Sequence, residues 1–243
     1  PLGQMYGYRL LGTYSVDDFT YDATNKKYII KEGIPYDKNN YPKPGYWKFE
    51  DTDNSGMITE ADRTIIGNAN PKLYGGLTNN FTWKGFDLSV FLNFSIGNKI
   101  YGANQMYYTK FNNRWRNTLK DKALDRFTVM NDKGEYIFND PEQLAAVNKD
   151  RHYVSIDGSS NLSFHSGYVE DGSFLKINNI SLGYTLPKSL VTKIKLSNVR
   201  FYATGYNLHT FTKYSGYDPE VNTCANNGLT PSIDWGAYPS AIS

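Results

Sequence analysis

Apolar and polar side chains alternate along several stretches of the chain. In residues 86–96 (FDLSVFLNFSI) every second residue is apolar, and Phe91 is the single apolar residue on the opposite face. Residues 73–83 alternate in the same way, and a short turn containing Gly85 joins the two runs. A period of two indicates a β-strand with one apolar face. The pattern therefore predicts a β-hairpin over this region.

Three further stretches resemble these two strands. They span residues 5–14, 172–187 and 198–207. In residues 172–187 the apolar positions change parity near Asn178 and Asn179, so that one extra residue separates the two halves of the pattern. A β-bulge inserts one residue into a strand in this way. We therefore expect a bulge at this point.

Long and short connections alternate between the predicted strands. Residues 15–71, 97–171 and 208–243 form the long ones, whereas the turn at 83–85 and the link at 187–197 are short. Compact domains rarely contain irregular loops longer than about 15 residues. Transmembrane β-barrels combine short periplasmic turns with long extracellular loops. The sequence therefore predicts an all-β chain that forms part of a large transmembrane antiparallel β-barrel, with the three long segments as extracellular loops.

A soluble secreted β-sandwich with long loops is the alternative interpretation. The alternating pattern shows only that one face of each strand is buried, against lipid or against a protein core. Within the long loops, residues 119–127 and 141–147 have the composition of short helices.

Composition excludes several classes of function. The net charge is +2, with 26 basic and 24 acidic residues, so the chain lacks the basic footprint of a nucleic-acid-binding protein. The single cysteine, Cys224, cannot form an internal disulfide, and three scattered histidines argue against a zinc site or a histidine-centred triad. The aromatic content of 16% with a mean hydropathy of -0.57 favours β structure and binding surfaces.

The first residues indicate a piece of a longer protein. The chain opens with PLGQMYGYRL, which contains neither an initiator methionine nor the charged and apolar regions of a signal peptide. No apolar run reaches the roughly 18 residues of a transmembrane helix.

Residues 51–62 (DTDNSGMITEAD) have the spacing of a calcium-binding loop. Polar oxygens stand at positions 1, 3 and 5, Gly56 at position 6, and a carboxylate at position 12. The expected ligands are the side chains of Asp51, Asp53, Ser55 and Asp62, the carbonyl of Met57, and Thr59 directly or through water. Oxygen-only ligands favour Ca²⁺ or Mg²⁺.

Two features of this loop differ from an EF-hand. Asp62 is shorter than the usual glutamate, which predicts weak binding of roughly 10⁻⁴–10⁻³ M. Pro42, Pro44 and Gly45 make an entering helix improbable. We expect a structural rather than a catalytic role, and the alternative is a solvated acidic turn without a metal.

No motif supplies a convincing catalytic group. Residues 218–220 (DPE) offer two carboxylates, but a proline-fixed turn that pins a loop is the favoured interpretation. The serine in residues 155–160 (SIDGSS) lacks a nucleophile elbow. Residues 106–108 (MYY) and 112–117 (NNRWRN) are suited to stacking on sugars or contacting a lid protein, or else to packing within the loop.

Four motifs in series resemble SusC/RagA-type TonB-dependent outer-membrane transporters. The first, in residues 1–14, includes an MYGY strand. The second, in residues 44–101, places DRTIIGN, PKLYGG and KGFDLS after the acidic loop. The third, in residues 169–187, is VEDGSFLKINNISLGYTLP, and the fourth, in residues 202–222, includes GYNLHTFTKYSGYDPE. Their order and spacing cover the chain from end to end.

The resemblance implies a 22-stranded barrel closed by an N-terminal plug. It also implies a SusD-like surface lipoprotein as a lid, and energy for import delivered through TonB. Residues 1–243 would then be the C-terminal segment of the barrel, without the plug domain and the final strand. Because a barrel arc with open edges is unstable in a bilayer, we expect the remaining barrel segments to be partners of this one.

The leading hypothesis is therefore energy-coupled import of oligosaccharides or peptides across the bacterial outer membrane, without enzymatic chemistry. The alternative is a secreted, calcium-stabilised β-sandwich that binds glycans. A glycoside hydrolase ranks lowest because the sequence offers no acid and base beyond coincidence.

Overall fold

A computed structural model describes residues 2–111, 117–160, 164–223 and 231–235. Among these residues the strands are β1 (Gln4–Gly7), β2 (Leu10–Thr13), β3 (Phe19–Asp22), β4 (Lys27–Ile30), β5 (Trp47–Phe49), β6 (Thr64–Asn68), β7 (Leu73–Trp83), β8 (Phe86–Ile96), β9 (Lys99–Tyr101), β10 (Val169–Asp171), β11 (Phe174–Thr185) and β12 (Arg200–Thr212). The α-helices are α1 (Ala103–Tyr108), α2 (Lys120–Asp125), α3 (Pro141–Asn148) and α4 (Lys188–Val191). Within the described part of the chain, every helix is too short or too polar to cross a membrane.

The chain divides into two compact units. The first unit contains the described residues within 1–3, 68–101 and 170–243, and the second contains those within 4–67 and 102–169. Each unit is therefore assembled from segments that are distant in the sequence.

The first unit is built on a four-stranded antiparallel sheet in the order β12-β11-β8-β7. β7 and β8 form the predicted hairpin, with Trp83 paired to Phe86 across the turn. Lys84 and Gly85 in that turn both have positive φ, 46° and 91°. Two consecutive positive φ values are typical of the two-residue hairpin turn that matches the twist of the strands. The predicted hairpin is confirmed.

The two faces of this sheet differ in chemistry. Paired residues of antiparallel strands lie on the same face, so the register assigns each side chain. The apolar face carries Leu73, Leu77, Phe81, Trp83, Phe86, Leu88, Val90, Leu92, Phe94, Ile96, Leu175, Ile177, Ile180, Leu182, Tyr184, Phe201, Ala203 and Phe211. The polar face carries Tyr74, Thr78, Asn80, Thr82, Asp87, Ser89, Asn93, Ser95, Lys176, Ser181, Tyr202, Thr204 and Thr210, among others.

The predicted bulge is present in β11. The register of β11 shifts between Ile177 and Asn179 against both of its neighbours. Against β8, Asn178 is the extra residue, whereas against β12 two residues, Asn207 and Leu208, lie opposite it. The shift keeps Leu175 and Ile177 on the same face as Ile180 and Leu182. The change of parity in the sequence therefore matches the bulge, which keeps the apolar side chains on one continuous face.

The prediction for residues 5–14 was wrong. This stretch forms two short strands, β1 and β2, which pair with β6 and β5 in separate two-stranded sheets. Gly12, with φ of 128°, lies at an irregularity in the β2–β5 register. The alternation of side chains here thus belongs to two short strands with different partners rather than to one long strand.

Two boundaries also differ from the predictions. The last strand runs to Thr212 rather than ending at 207, so the predicted loop 208–243 begins inside β12. The predicted loop 15–71 contains β3 to β6 rather than irregular chain only. The predicted helices at 119–127 and 141–147 correspond to α2 and α3. The extracellular placement of the loops stays a prediction.

The second unit has a predominantly aromatic core. One cluster of buried side chains contains Tyr14, Phe19, Tyr28, Phe127, Ile137 and Leu144, and the other contains Tyr8, Trp47, Phe49, Ile58 and Val154. Edge-to-face ring pairs such as Phe19 with Tyr28, 6.0 Å apart, order this packing. The high tyrosine content of the sequence is thus used in part as core.

Candidate functional site

The acidic loop 51–62 connects β5 to β6 in the second unit. A strand rather than a helix precedes it, as the prolines upstream predicted. Asn54 and Gly56 have φ of 58° and 80°, conformations that asparagine and glycine adopt at low cost. A short 3₁₀ helix, Glu60–Asp62, closes the loop before β6. These residue types explain why the chain can turn so tightly here.

The first two acidic side chains accept hydrogen bonds from the tip of the loop. The backbone amide of Ser55 donates to Asp51 Oδ1 at 3.1 Å and to Asp53 Oδ1 at 3.0 Å, and the amide of Gly56 donates to Asp51 Oδ2 at 2.7 Å. Hydrogen bonds from Ser55 hold the pKa of Asp53 below its usual value. The charged form of Asp53 is therefore favoured.

Asp62 joins the two ends of the loop. It is fully buried, its Oδ1 accepts from the amide of Thr52 at 2.8 Å, and its Oδ2 accepts from the amide of Thr59 at 2.7 Å. The side chain of Thr59 in turn accepts from the amides of Ala61 and Asp62, and the bond from Asp62 completes a capping box. A buried carboxylate with two backbone donors is a strong local constraint.

The loop brings three of the predicted ligands together. One carboxylate oxygen from each of Asp51, Asp53 and Asp62 lies within 4.8 Å of the others. Ser55 Oγ donates to the carbonyl of Met57 at 3.1 Å, so these two predicted ligands contact each other directly. The predicted metal ligands are all oxygen atoms, which Ca²⁺ and Mg²⁺ prefer, so these residues fit such an ion. Metal binding itself stays a proposal.

The core of the second unit holds the loop in place. The amide of Ile58 donates to the carbonyl of Tyr36 at 3.0 Å. The side chain of Ile58 is buried against Trp47 and Phe49. The loop is therefore anchored on both sides of its tip, which suits a stiffening role.

A second polar site lies on the polar face of the sheet in the first unit. Lys176 of β11 is nearly buried, with 6% of its surface exposed, and its Nζ lies 2.5 Å from Glu220 Oε2. Asn93 of β8, opposite Lys176 in the register, donates through Nδ2 to Glu220 Oε1 at 3.2 Å. These bonds fix the segment that follows β12 onto the sheet.

The DPE motif explains how Glu220 is presented. Asp218 Oδ1 accepts from the amide of Glu220 at 2.9 Å, and the Asp218 carbonyl accepts from the amide of Val221. The predicted turn is confirmed, and Glu220 is the residue that pins it. Sequence reasoning did not find Lys176 or Asn93, because no local signal marks a charge pair between residues 44 positions apart.

A second ion pair lies on the same face near the β7–β8 turn. Arg200 of β12 donates to both carboxylate oxygens of Asp87, at 3.1 and 2.5 Å. The pair crosses over Gly183, where a Cβ would approach Arg200 Nη2 to 2.5 Å. Glycine avoids this contact, and a larger residue would displace the side-chain ends of Asp87 and Arg200.

His165 is a buried histidine that the sequence did not single out. It is 1% exposed and is surrounded by the rings of Trp47, Phe49 and Tyr168, with centroids 4.5 to 5.6 Å away. Its Nδ1 accepts from the amide of Gly167 at 3.1 Å. Burial lowers the pKa of His165 to about 4, so the ring is neutral at physiological pH.

The other candidate residues that the structure describes form no reactive arrangement. Ser155 Oγ accepts from the amide of Gly158 and so stabilises the turn that begins the 3₁₀ helix Asp157–Ser160. The tyrosines of residues 106–108 belong to α1. Residues 112–116 and Cys224 lie outside the described part of the chain.

Comparisons with known proteins agree with the sequence motifs. No protein-family model matches the chain. It is 31% identical over 245 residues to TonB-dependent receptor P3 of Formosa agariphila, covering 98% of this chain and 21% of the receptor. It is 28% identical over 223 residues to TonB-dependent receptor SusC of Bacteroides thetaiotaomicron, covering 91% of this chain and 19% of the receptor.

A solved structure shares the fold. The RagAB peptide transporter matches 98% of this chain with a TM-score of 0.62 and 19% sequence identity, over 22% of the transporter chain. The chain thus spans about a fifth of the length of the relatives it matches, which is consistent with the predicted C-terminal part. Sequence and fold together identify the chain as a segment of a TonB-dependent receptor of the SusC/RagA type.

Proposed function

We propose that this chain forms part of the wall of an outer-membrane importer that takes up oligosaccharides or peptides with energy delivered through TonB. The observation that carries the proposal is the exposed apolar face of the four-stranded sheet. Leu77, Phe81, Leu182 and Phe201 on that face are 51 to 64% exposed. An apolar surface of this extent is a binding surface or a lipid contact.

The dimensions of the sheet suit a bilayer. β7 and β8 contain 11 residues each. At about 3.4 Å per residue and a tilt of about 45°, such a strand crosses about 26 Å, close to the apolar band of an outer-membrane barrel. The opposite face is polar, as the interior of a barrel is. Lipid on one side and the solute path on the other account for both faces.

The rest of the receptor is the first proposed partner. Among the described residues, β7 pairs only with β8 and β12 only with β11, so each presents one open edge. Unpaired backbone groups are costly in lipid, and neighbouring strands of the same barrel would satisfy them. This chain spans about a fifth of a related receptor, and we expect the plug and the segment that contacts TonB in the remaining part.

A surface lipoprotein of the SusD type is the second proposed partner. The resemblance to SusC supports it. RagAB is described as a peptide transporter, whereas the substrate of this chain is open between glycans and peptides. The relatives are receptors and transporters, which supports a role without bond chemistry.

The alternative, a secreted β-sandwich, requires a second sheet against the apolar face. In the part of the chain that the structure describes, that face is exposed rather than covered. The importer accounts for this exposure and the sandwich does not.

We further propose that loop 51–62 binds Ca²⁺ through Asp51, Asp53 and Asp62. Three carboxylate oxygens within 4.8 Å repel one another, and a divalent cation would compensate that repulsion. Isothermal titration of the receptor with Ca²⁺, compared with an Asp53→Ala variant, tests the proposal. Binding that is equally strong in the variant would locate the ion elsewhere.

Contact of the apolar face with lipid is tested by introducing a lysine on each face of β8 in turn. Val90 and Ser89 are neighbours near the middle of β8 and lie on opposite faces. In the full receptor, Val90→Lys would place a charge in lipid, at a cost of about 2–4 kcal/mol, and would lower the amount assembled in the outer membrane. Ser89→Lys, the matched control, would assemble normally. Equal assembly of the two variants would contradict a lipid-facing apolar face.

Transport is tested in cells that lack the receptor gene. Uptake of labelled oligosaccharides or peptides should disappear, return with the wild-type gene, and fail to return when the TonB system is inactive. Uptake that persists without the receptor would refute the importer.

A further inference from the structure

The link between β11 and β12, residues 186–199, has a compact fold of its own. The amide of Leu186 donates to the carbonyl of Val199 at 2.9 Å and so closes the two ends of the link. Between these ends, α4 is followed by a 3₁₀ helix, Thr192–Ile194, and Lys195 adopts a left-handed conformation with φ of 58°. The link is therefore a folded surface element rather than an extended connection.

The apolar side chains of the link are divided between its interior and its surface. Val191 is 1% exposed and anchors the link, whereas Leu190, Ile194 and Leu196 are 50, 60 and 49% exposed. Clustered apolar side chains at a surface mark contacts with proteins or membranes. The link thus offers an apolar contact surface in spite of its compact fold.

The same segment is strongly basic. Residues 186–199 contain three lysines, Lys188, Lys193 and Lys195, and no acidic residue. None of these lysines forms an ion pair with a described residue. Cationic and apolar side chains are therefore interleaved along one exposed segment.

The excess of basic charge is confined to one end of the sheet. The amide of Thr185 donates to the carbonyl of Gly85 at 2.8 Å, so the link lies beside the β7–β8 turn. The charged residues described at this end are Lys84, Asp87, Lys188, Lys193, Lys195 and Arg200. At the opposite end, basic and acidic residues are equal in number: Lys72, Lys99, Lys176 and Lys213 against Glu170, Asp171, Asp218 and Glu220. An anionic partner is therefore expected at the turn end of the sheet.

Aromatic side chains indicate that this end of the sheet lies at a membrane boundary. Trp83, Phe86, Tyr184 and Phe201 share the apolar face here, and the rings of Phe86 and Tyr184 are 4.4 Å apart. Aromatic girdles flank the apolar band of outer-membrane barrels at both interfaces with water. In the proposed barrel, the link that follows Tyr184 would therefore lie at the level of the lipid headgroups.

We propose that the β11–β12 link binds anionic phospholipids of the leaflet nearest the β7–β8 turn. Leu190, Ile194 and Leu196 enter the apolar edge of that leaflet, while the neighbouring lysines stay at headgroup level and contact phosphate oxygens. An acidic protein is the competing partner. The membrane is favoured because the link continues directly from a strand whose apolar face contacts lipid, so the inference rests on the proposed function.

The test compares the full receptor in nanodiscs of phosphatidylglycerol and of phosphatidylcholine. Amide hydrogen exchange of residues 188–196 should be at least about fivefold slower in phosphatidylglycerol, because one lysine at an anionic surface contributes about that factor. Combining Lys188→Gln, Lys193→Gln and Lys195→Gln should reduce the difference to less than about twofold. In 0.5 M salt the wild-type difference should shrink as well, since exposed charges are screened.

A matched control removes the same charge from another part of the chain. Lys26, Lys31 and Lys38 are exposed lysines of the second unit. Changing these three to glutamine should leave the dependence on lipid in residues 188–196 unchanged. An equal loss in this control, or equal exchange of the wild-type link in the two lipids, would overturn the inference.

A second measurement tests the insertion of the apolar side chains. A nitroxide is attached at Ile194→Cys in a receptor whose only cysteine is the introduced one. In phosphatidylglycerol nanodiscs this label should be more accessible to oxygen than to a water-soluble nickel chelate, and a label at Lys26→Cys should show the reverse. A label at position 194 that is as accessible to nickel as the one at position 26 would refute insertion.

Failure of the inference is distinguishable from failure of the proposed barrel wall. If Val90→Lys fails to assemble, Ser89→Lys assembles and the link shows no dependence on lipid, the barrel wall stands and only the lipid site is refuted. If both lysine variants assemble equally, the placement of the link at the headgroups is refuted together with the wall.

Discussion

The buried carboxylate of Asp62 gives the most specific prediction about the acidic loop. Asp62→Asn keeps the shape of the side chain but replaces one oxygen by an amide group. The two oxygens of Asp62 accept from the amides of Thr52 and Thr59. The new amide group must therefore face one of these two backbone donors.

The size of the effect follows from the two bonds. A hydrogen bond to a charged group contributes about 1.5–3 kcal/mol, and one such bond is lost entirely. The remaining bond becomes a neutral one and weakens by about 1 kcal/mol. The side chain is fully buried, so water cannot replace the missing partner. The local opening free energy of the loop should fall by about 3 kcal/mol, which corresponds to about a hundredfold in an equilibrium constant.

Hydrogen exchange measures this opening directly. In the full receptor with a chelator present, the amides of Thr52 and Thr59 should exchange about a hundredfold faster in the variant. Asp53→Asn is the matched control, because Asp53 accepts from the Ser55 amide, which also donates to Asp51, and does not bond the amides of Thr52 and Thr59. The control should change exchange at these positions by less than about threefold.

Two results would refute this reasoning. Unchanged exchange at Thr52 and Thr59 in Asp62→Asn would show that the carboxylate does not hold the ends of the loop together. An equal acceleration in Asp53→Asn would show that net charge, rather than these hydrogen bonds, orders the loop.

Three further predictions concern the other polar groups. Glu220→Gln leaves Lys176 without a counter-charge and should destabilise residues 213–223 by about 1–3 kcal/mol. The loss is smaller than for a fully buried pair because the Glu220 side chain is 38% exposed. Amide hydrogen exchange of that segment should become faster, and the additional change Lys176→Met should restore the wild-type rate. His165 takes up a proton more readily when unfolded than when buried, so the second unit should lose stability as pH falls from about 6.5 to about 4. The loss should be about 1.4 kcal/mol per pH unit, measured by amide hydrogen exchange corrected for the pH dependence of the exchange itself. His165→Gln should lack this dependence on pH. Gly183→Ala places a methyl group 2.6 Å from an oxygen of Asp87 and should lower the free energy of unfolding of the receptor, measured in urea, by less than about 1 kcal/mol, with no further loss when Asp87→Ala is already present.

Each of these has a clear contradicting result. Failure of the Lys176→Met change to rescue Glu220→Gln would separate the loss from the charge pair. An unchanged acid slope in His165→Gln would assign it to other groups. Additive losses from Gly183→Ala and Asp87→Ala would show that the methyl group acts elsewhere.

The elements that the sequence predicted are those with a local signal. The hairpin of β7 and β8 follows from alternation and from Gly85, because a strand places successive side chains on opposite faces. The bulge in β11 follows from the parity change for the same reason. The tight turn of the acidic loop follows from Gly56 and from carboxylates spaced to reach backbone amides within five residues.

Residues 5–14 show where the local signal fails. Their alternation is compatible with one long strand or with two short ones, and the choice depends on which segments lie alongside. β5 and β6, more than 30 residues further along, provide those partners. The energy of strand pairing lies in these contacts and not in the strand itself.

The sequence by itself determined which side chains share a face, and with it the apolar and polar sides of the sheet. Only the tertiary structure decided which polar groups are buried and paired: Glu220 on Lys176, His165 among aromatic rings, and Asn93 with one acceptor left over. The physical reason is that the backbone geometry of two successive strand residues determines on which face of the sheet each side chain lies. Desolvation and pairing instead depend on groups that distant segments bring together.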